Sequence, residues 1–379
     1  MNSLKMRSVF TIFLRVSLML TTLLFSIGIK AQTDYPKVNF NYFGHVQIDL
    51  EMIENLQKKG SFNHASYANL GEQDLFVTAQ ITKRISFLGE TVVRPDLKSS
   101  SSFIPSIERA QLKFDYFRNH SFLIGKFHTP VNFWNDTYHH GRLFFPVIDR
   151  PVMFSYLIPL HTLGVRLQGQ NLGALRFGYD MVLGNGISSN DTKDLDMHKS
   201  VTLAAHIKPR DGLRIGLSYY DDVIKGNYSG VHSGHIGASH VAQSSSYKGD
   251  IRFQLLSFST AWFSNRFELL HELTLNRTKS DSLGTAGNWS SFIYAGYRMN
   301  NLVPFVVLDY IDVSEKDLHI KSLVSARIAI GARYEFTPYC NIKILAEHLR
   351  SEELFPLPRH NHPVSPDIYE LKIQLAYGF

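Results

Sequence analysis

The chain has 379 residues, a formal net charge of +6, 44% apolar residues and one cysteine, Cys340. A single cysteine excludes an internal disulfide and a cysteine-based metal knuckle. Beyond the amino-terminal segment, the longest uncharged apolar-rich run, 151–165, is short and interrupted by Pro159 and His161, which argues against helical membrane spans.

The first segment carries most of the charge. Lys5, Arg7 and Arg15 precede an uncharged stretch over 16–29, and Lys30-Ala31 leads into the polar Gln32-Thr33-Asp34. The stretch is shorter than the roughly 20 residues of a spanning helix but suits a secretory signal, so a signal peptide over 1–31 is expected, with an uncleaved anchor as the alternative. Ile29 is larger than the small residue usual before such a cleavage site. The leader holds four basic residues and no acidic ones, so the mature segment 32–379 falls to +2, with 35 Lys plus Arg against 33 Asp plus Glu. The basic balance therefore belongs to the leader and gives no ground for a nucleic-acid partner.

The rest of the chain alternates. Val38, Phe40, Tyr42, Gly44, Val46 and Ile48 interleave with Asn39, Asn41, His45, Gln47 and Asp49. Ala110, Leu112, Phe114 and Tyr116 interleave with Arg109, Gln111, Lys113 and Asp115, and the same pattern covers 325–335. Period two over about 9 to 11 residues is the signature of a tilted membrane strand. Near Phe87 and Phe122 apolar residues occupy both parities, and the pattern is indistinct. Seven short polar turns are expected around Lys83, Asn119, 170–173, 209–212, Ser264, Asn300 and 338–341. Between these hairpins lie eight longer connections, at 51–71, 95–106, 128–159, 183–196, 222–247, 278–288, 311–321 and 350–366. Fifteen connections give sixteen strands, about 22 residues each with its connection, and an even count places both ends on the short-turn, periplasmic side. The last strand is the clearest: Tyr369, Leu371, Ile373, Leu375, Tyr377 and Phe379 form an apolar face opposite Glu370, Lys372, Gln374, Ala376 and Gly378. It resembles the terminal strand of bacterial outer-membrane β-barrels, and that likeness implies an all-β transmembrane antiparallel barrel over 32–379 whose terminal Phe379 is read by the barrel-assembly machinery. An exported β-sandwich would also alternate, but it would not require the asymmetry between turns and loops.

In such a barrel the apolar parity meets lipid and the other parity lines a wet lumen. The lumen-facing basic residues are then Arg109, Lys113, Arg166, Arg176, His206, Arg214, Arg252, Arg298, Arg327, Arg333, Lys343 and Lys372. They oppose Asp49, Asp115, Asp180, Glu268, Glu272, Asp309, Glu335, Glu347 and Glu370. This mixture either biases the lumen weakly toward anions or pairs across strands to hold the barrel's shape. The third long connection is distinctive, because Phe133, Trp134, Tyr138, Phe144, Phe145, Phe154 and Tyr156 are too much aromatic surface for an exposed loop. The lumen is the available place to bury it. An inward fold would form a constriction with His128, Phe133, Trp134, Asp136, Tyr138, His139, His140, Arg142, Asp149 and Arg150 near the solute path.

The leader, the sixteen strands, Phe379 and the Gly125-Lys126-Phe127-His128-Thr129-Pro130 to Tyr138-His139-His140-Gly141 stretch together resemble the outer-membrane porins of the phosphate-selective O and P type. The likeness is motif-like only over 125–150. It implies a water-filled channel in the outer membrane of a Gram-negative bacterium, with an inward third loop, membrane lipids and small hydrophilic solutes or anions as partners, and a homotrimeric state by analogy. The loop has few Lys or Arg, so passive diffusion with at most weak anion preference fits better than phosphate specificity. Two other classes stay open: an embedded hydrolase, for which no Gly-x-Ser-x-Gly elbow exists, and an adhesin or receptor acting through its loops. His128, Asp136, His139 and His140 match no metal-ligand frame, so neither metal nor cofactor is expected. His232, His235 and His240, like His360 and His362, fall in connections expected to form outer surface.

Overall fold

The computed structural model describes residues 34–55, 60–95, 103–138, 141–187, 194, 197–226, 249–282, 284–317, 319–320, 323–351 and 367–379. The expected leader, His139, His140 and the histidines of the fifth and eighth long connections lie outside these residues.

Sixteen strands form one closed antiparallel barrel in which each pairs with its chain neighbours. They are β1 (Lys37–Glu54), β2 (Phe62–Gln80), β3 (Ile85–Pro95), β4 (Phe103–Phe117), β5 (His120–His128), β6 (His161–Leu172), β7 (Phe177–Asn185) and β8 (Lys199–Arg210). The second half comprises β9 (Leu213–Ile224), β10 (Ile251–Phe263), β11 (Phe267–Ser280), β12 (Gly284–Tyr297), β13 (Leu302–Val313), β14 (Leu323–Thr337), β15 (Cys340–Ser351) and β16 (Asp367–Gly378). Closure is made by β1 and β16, in register from Phe43↔Gly378 to Ile53↔Ile368. Phe379 extends the seam, its N–H donating to the Tyr42 carbonyl at 3.0 Å while Tyr42 returns a bond of 2.8 Å.

All seven expected hairpin turns sit between the strands they were read to join. The sixth long connection differs: β11 runs to Ser280 and β12 starts at Gly284, so most of 278–288 is strand. Its strands are polar there, with Thr278 and Ser280 turned inward, and the backbone ladder continues to Ser280↔Gly284 without needing apolar side chains. β1 and β2 likewise extend well into the first long connection, reaching 18 and 19 residues.

The outer face is a band of exposed apolar side chains that includes Ile48, Leu167, Leu203, Leu217, Leu308, Ile328 and Ile330. Toward the short turns it ends in exposed Tyr116, Phe117, Phe267, Tyr334, Phe336 and Tyr339, and toward the long loops in Trp289 and Tyr369. Apolar belts flanked by aromatic girdles are the outer surface of membrane barrels. The terminal strand has the expected parity, with Tyr369, Leu371 and Leu375 exposed and Gln374 and Ala376 fully buried. The indistinct pattern around Phe122 also has a cause: Ile124 faces outward, but Leu123 and Phe127 are buried on the inner side.

Candidate functional site: the third loop and the lumen it crosses

Between β5 and β6 the chain enters the barrel and forms three short turns of helix: α1 (Phe133–Thr137), a 3-10 turn (Arg142–Phe144) and α2 (Met153–Tyr156). Its two roots are held together, since His128 and His161 are paired across the strands with rings 5.2 Å apart. Gly125, just before the root, has φ +130° and room for no Cβ, which would fall 2.1 Å from the Ala110 carbonyl.

Inside, the loop makes a core with the wall. Val131, Trp134, Phe145, Ile148, Met153, Leu157 and Ile158 are almost fully buried. Their counterparts are inward side chains of β9 to β15, among them Tyr220, Phe253, Leu270, Phe292, Phe305, Val307 and Leu345. Trp134 is the hub, edge-on to Phe145 at 5.1 Å, Phe292 at 5.4 Å and Tyr138 at 5.5 Å. Each such large buried side chain contributes about 1.5–3 kcal/mol from area alone, so apolar packing, not charge, dominates the loop's position. The expectation of a uniformly wet inner parity is thus corrected: the β9–β15 wall carries an apolar patch among polar side chains such as Glu272 and Asp309, and the loop lies on it.

Polar groups satisfy the loop's backbone and fix its height. The Trp134 N–H donates to Glu272 at 2.9 Å and the Val152 N–H to Asp309 at 2.8 Å. Asn341 donates to the Leu143 carbonyl at 2.8 Å, Arg333 to that of Pro146 at 3.0 Å, and the Lys343 ammonium to that of Arg142 at 2.5 Å. On the opposite side, Gly141 donates to Asp74 at 2.9 Å, and Glu72 receives Arg142 at 3.3 Å and Arg150 at 3.2 Å together with Arg94 of β3. The loop therefore crosses the lumen from β9–β15 to β2. Glu72 and Asp74 were not singled out from the sequence. Both lie next to what reads as the end of a loop, and nothing local marks their partners about 70 residues away.

The two loop aspartates are held ionised. Burial alone would raise the Asp136 carboxyl, but Arg214 at 3.1 Å and Arg166 at 3.4 Å pull it below its ordinary value. Burial is likewise outweighed at Asp149, where Lys372 at 3.0 Å and Arg327 at 3.7 Å hold the carboxyl at about 2.

Most charges expected in the lumen are there and are paired. Arg166 meets Asp180 at 2.7 Å, Arg327 meets Asp309 at 2.8 Å, and Lys113 meets Asp115 at 3.0 Å. Arg298 and Arg333 share Glu268 and Glu335. Arg109 pairs with Glu90 and lies 5.2 Å over Phe76. Two residues are placed differently. Arg176 sits in the short turn between β6 and β7, paired with Asp211 at 2.7 Å. Arg252 lies on the outer face beside Asp221, because Ile251 and Phe253 take the inner positions. Among the described residues, no group of three or more His, Cys, Asp or Glu has the geometry of a metal site.

Under the loop, toward the short turns, two cavities open. One of about 280 Å³ lies between Tyr138, Phe144 and the Arg298–Glu335 cluster. The other, about 370 Å³, lies between α1 and the β8–β9 wall, with Asp136, His206, Lys208, Arg210 and Arg214 around it.

No protein-family model matches the sequence, and no curated protein matches it either. Solved structures do match. An anion-selective porin from Comamonas acidovorans superposes with TM-score 0.61 at 10% identity, over 90% of this chain and all of that one. The fold is that of outer-membrane β-barrels. OmpF of Salmonella typhi, solved with daunomycin, gives 0.57 at 13% identity over 93% of this chain and all of that one. OmpT, an outer membrane protein of Vibrio cholerae, gives 0.57 at 11% identity over 92% of this chain and 99% of its own.

Proposed function

We propose that the chain is an outer-membrane porin, a water-filled channel for passive diffusion of small polar solutes, with the third loop as its constriction and no catalytic role. One observation carries the reading: a long loop folds into a sixteen-strand barrel and is fixed there by a core of its own, while the lumen beside it is lined by ion pairs. The likeness to an anion-selective porin and to OmpF supports the same class. Membrane lipids around the apolar band and assembly machinery acting at the Phe379 strand are the partners it implies. A homotrimer is part of the proposal, by analogy with the trimer form of Vibrio cholerae OmpT. Kinship with the phosphate-selective O and P porins rests on the 125–150 stretch alone.

A weak preference for anions belongs to the proposal, but its carriers change. Arg142 and Arg150 share Glu72, whereas Lys208 and Arg210 beside α1 have no carboxylate within 4 Å among the described residues. Planar-bilayer recording of the purified protein tests the reading. Steady ohmic channels are expected, with conductance raised when 133–145 is replaced by a short Gly/Ser link, and a reversal potential of anion-selective sign at low salt, where screening is weak. Absence of current would favour an adhesin, a receptor or an embedded hydrolase.

A further inference from the structure

We infer that the cleft between α1 and the β8–β9 wall binds small organic anions bearing a flat apolar body, an inference that rests on the porin reading and gives it one solute class. The cleft measures about 370 Å³, within the roughly 300–1,000 Å³ of small-molecule sites. Its rim is cationic beyond its own carboxylates. Asp136 is divided between Arg166 and Arg214, and Asp211 is taken by Arg176. Lys208 and Arg210 line the same cleft, and among the described residues neither has a carboxylate within 4 Å.

A second observation is independent of this charge. The floor of the cleft is apolar, made by Phe133, Leu213 and Phe263, with the Arg214 guanidinium 5.2 Å over the Phe133 ring. His206, also lining the cleft, is only 4% exposed, and its Nδ1 lies 3.3 Å from an Arg214 nitrogen, so the ring braces that guanidinium over the floor. Inorganic anions would leave the floor idle, whereas an aryl carboxylate meets the cations and the floor together.

Phenylacetate is the probe, titrated by calorimetry into the full-length protein folded in detergent. Saturable binding is expected, at least tenfold tighter than for phenylacetamide, which lacks the charge, or for acetate, which lacks the ring. Lys208→Gln should weaken it at least tenfold and Lys208→Arg should restore it, while Arg277→Gln on the outer face should change nothing. No saturable binding, equal binding of phenylacetamide, phosphate binding as tightly as phenylacetate, or an unaffected Lys208→Gln variant would each overturn the site. Potassium chloride conductance separates this from the porin reading: current without phenylacetate binding removes the site and keeps the channel, and binding without current does the reverse.

Discussion

The two halves of the barrel's inner wall do different work. From β9 to β15 the inward residues include an apolar patch of Tyr220, Phe253, Leu270, Phe292 and Phe305, set among polar ones such as Glu272 and Asp309, and the third loop lies on it. From β16 through β1 to β8 the inward residues are mostly polar or charged, such as Lys372, Gln47, Asp49, Glu72, Glu90, Arg109, Lys113 and Arg166, and this side meets the loop mainly through ion pairs and hydrogen bonds, with Phe43 edge-on to Phe144 at 5.0 Å as an apolar contact. An inner wall can thus carry an apolar patch, provided a loop covers it. Dispersion and area burial fix the loop against one half, and the other half holds it mainly through paired charges.

The largest expected effect comes from emptying the apolar half. Trp134→Ala removes a fully buried side chain and should cost the docked loop about 3–5 kcal/mol, leaving the barrel closed but the loop open to protease and the conductance higher. Unchanged protection and conductance would mean that the polar contacts hold the loop. Outside, where both halves share one lipid-facing band, Ile328→Arg should cost about 2–4 kcal/mol near the midplane, read as reduced folding into bilayers against Ile328→Leu. Equal folding of the two would place β14 the other way round.

On the polar half, Glu72→Gln leaves Arg94, Arg142 and Arg150 without their shared carboxylate and should weaken docking by about 2 kcal/mol. Hydrogen exchange over 141–150 should rise while exchange around Trp134 stays slow; a uniform rise would show that the two sides of the loop are one cooperative unit. The smallest effect is a pH window. Asp149 is held at about 2, against about 3.9 for an unpaired aspartate, so its contribution to docking is complete above about pH 4 and is lost as pH falls through 2. Conductance should shift over that interval in the wild type, and Asp149→Asn should reduce the shift, leaving the part that Asp136 contributes.

Much of the architecture is legible in the chain. Period-two runs such as 38–48 and 369–379, separated by short and long connections in turn, are enough for sixteen strands, both termini at one end and the parity of β16, because a pleated strand places alternate residues on opposite faces whatever lies around it. The inward third loop is legible too, since it carries seven aromatic residues between β5 and β6 that call for burial, although Phe144 remains 53% exposed. Arg252 shows where alternation stops being informative. Ile251, Phe253 and Leu255 look like a lipid face, yet they are the inner face that faces the loop's core, and when both faces of a strand are apolar the period gives no sign of which is inside. The ion pairs were hidden for another reason. Glu72 meets Arg142 and Arg150, and Asp149 meets Lys372, across 70 to more than 200 residues of chain. Only closure of the barrel and the height of the loop within it bring those charges within a few ångströms, and Coulomb attraction at that range is decided by where side chains end up, not by their order in the sequence.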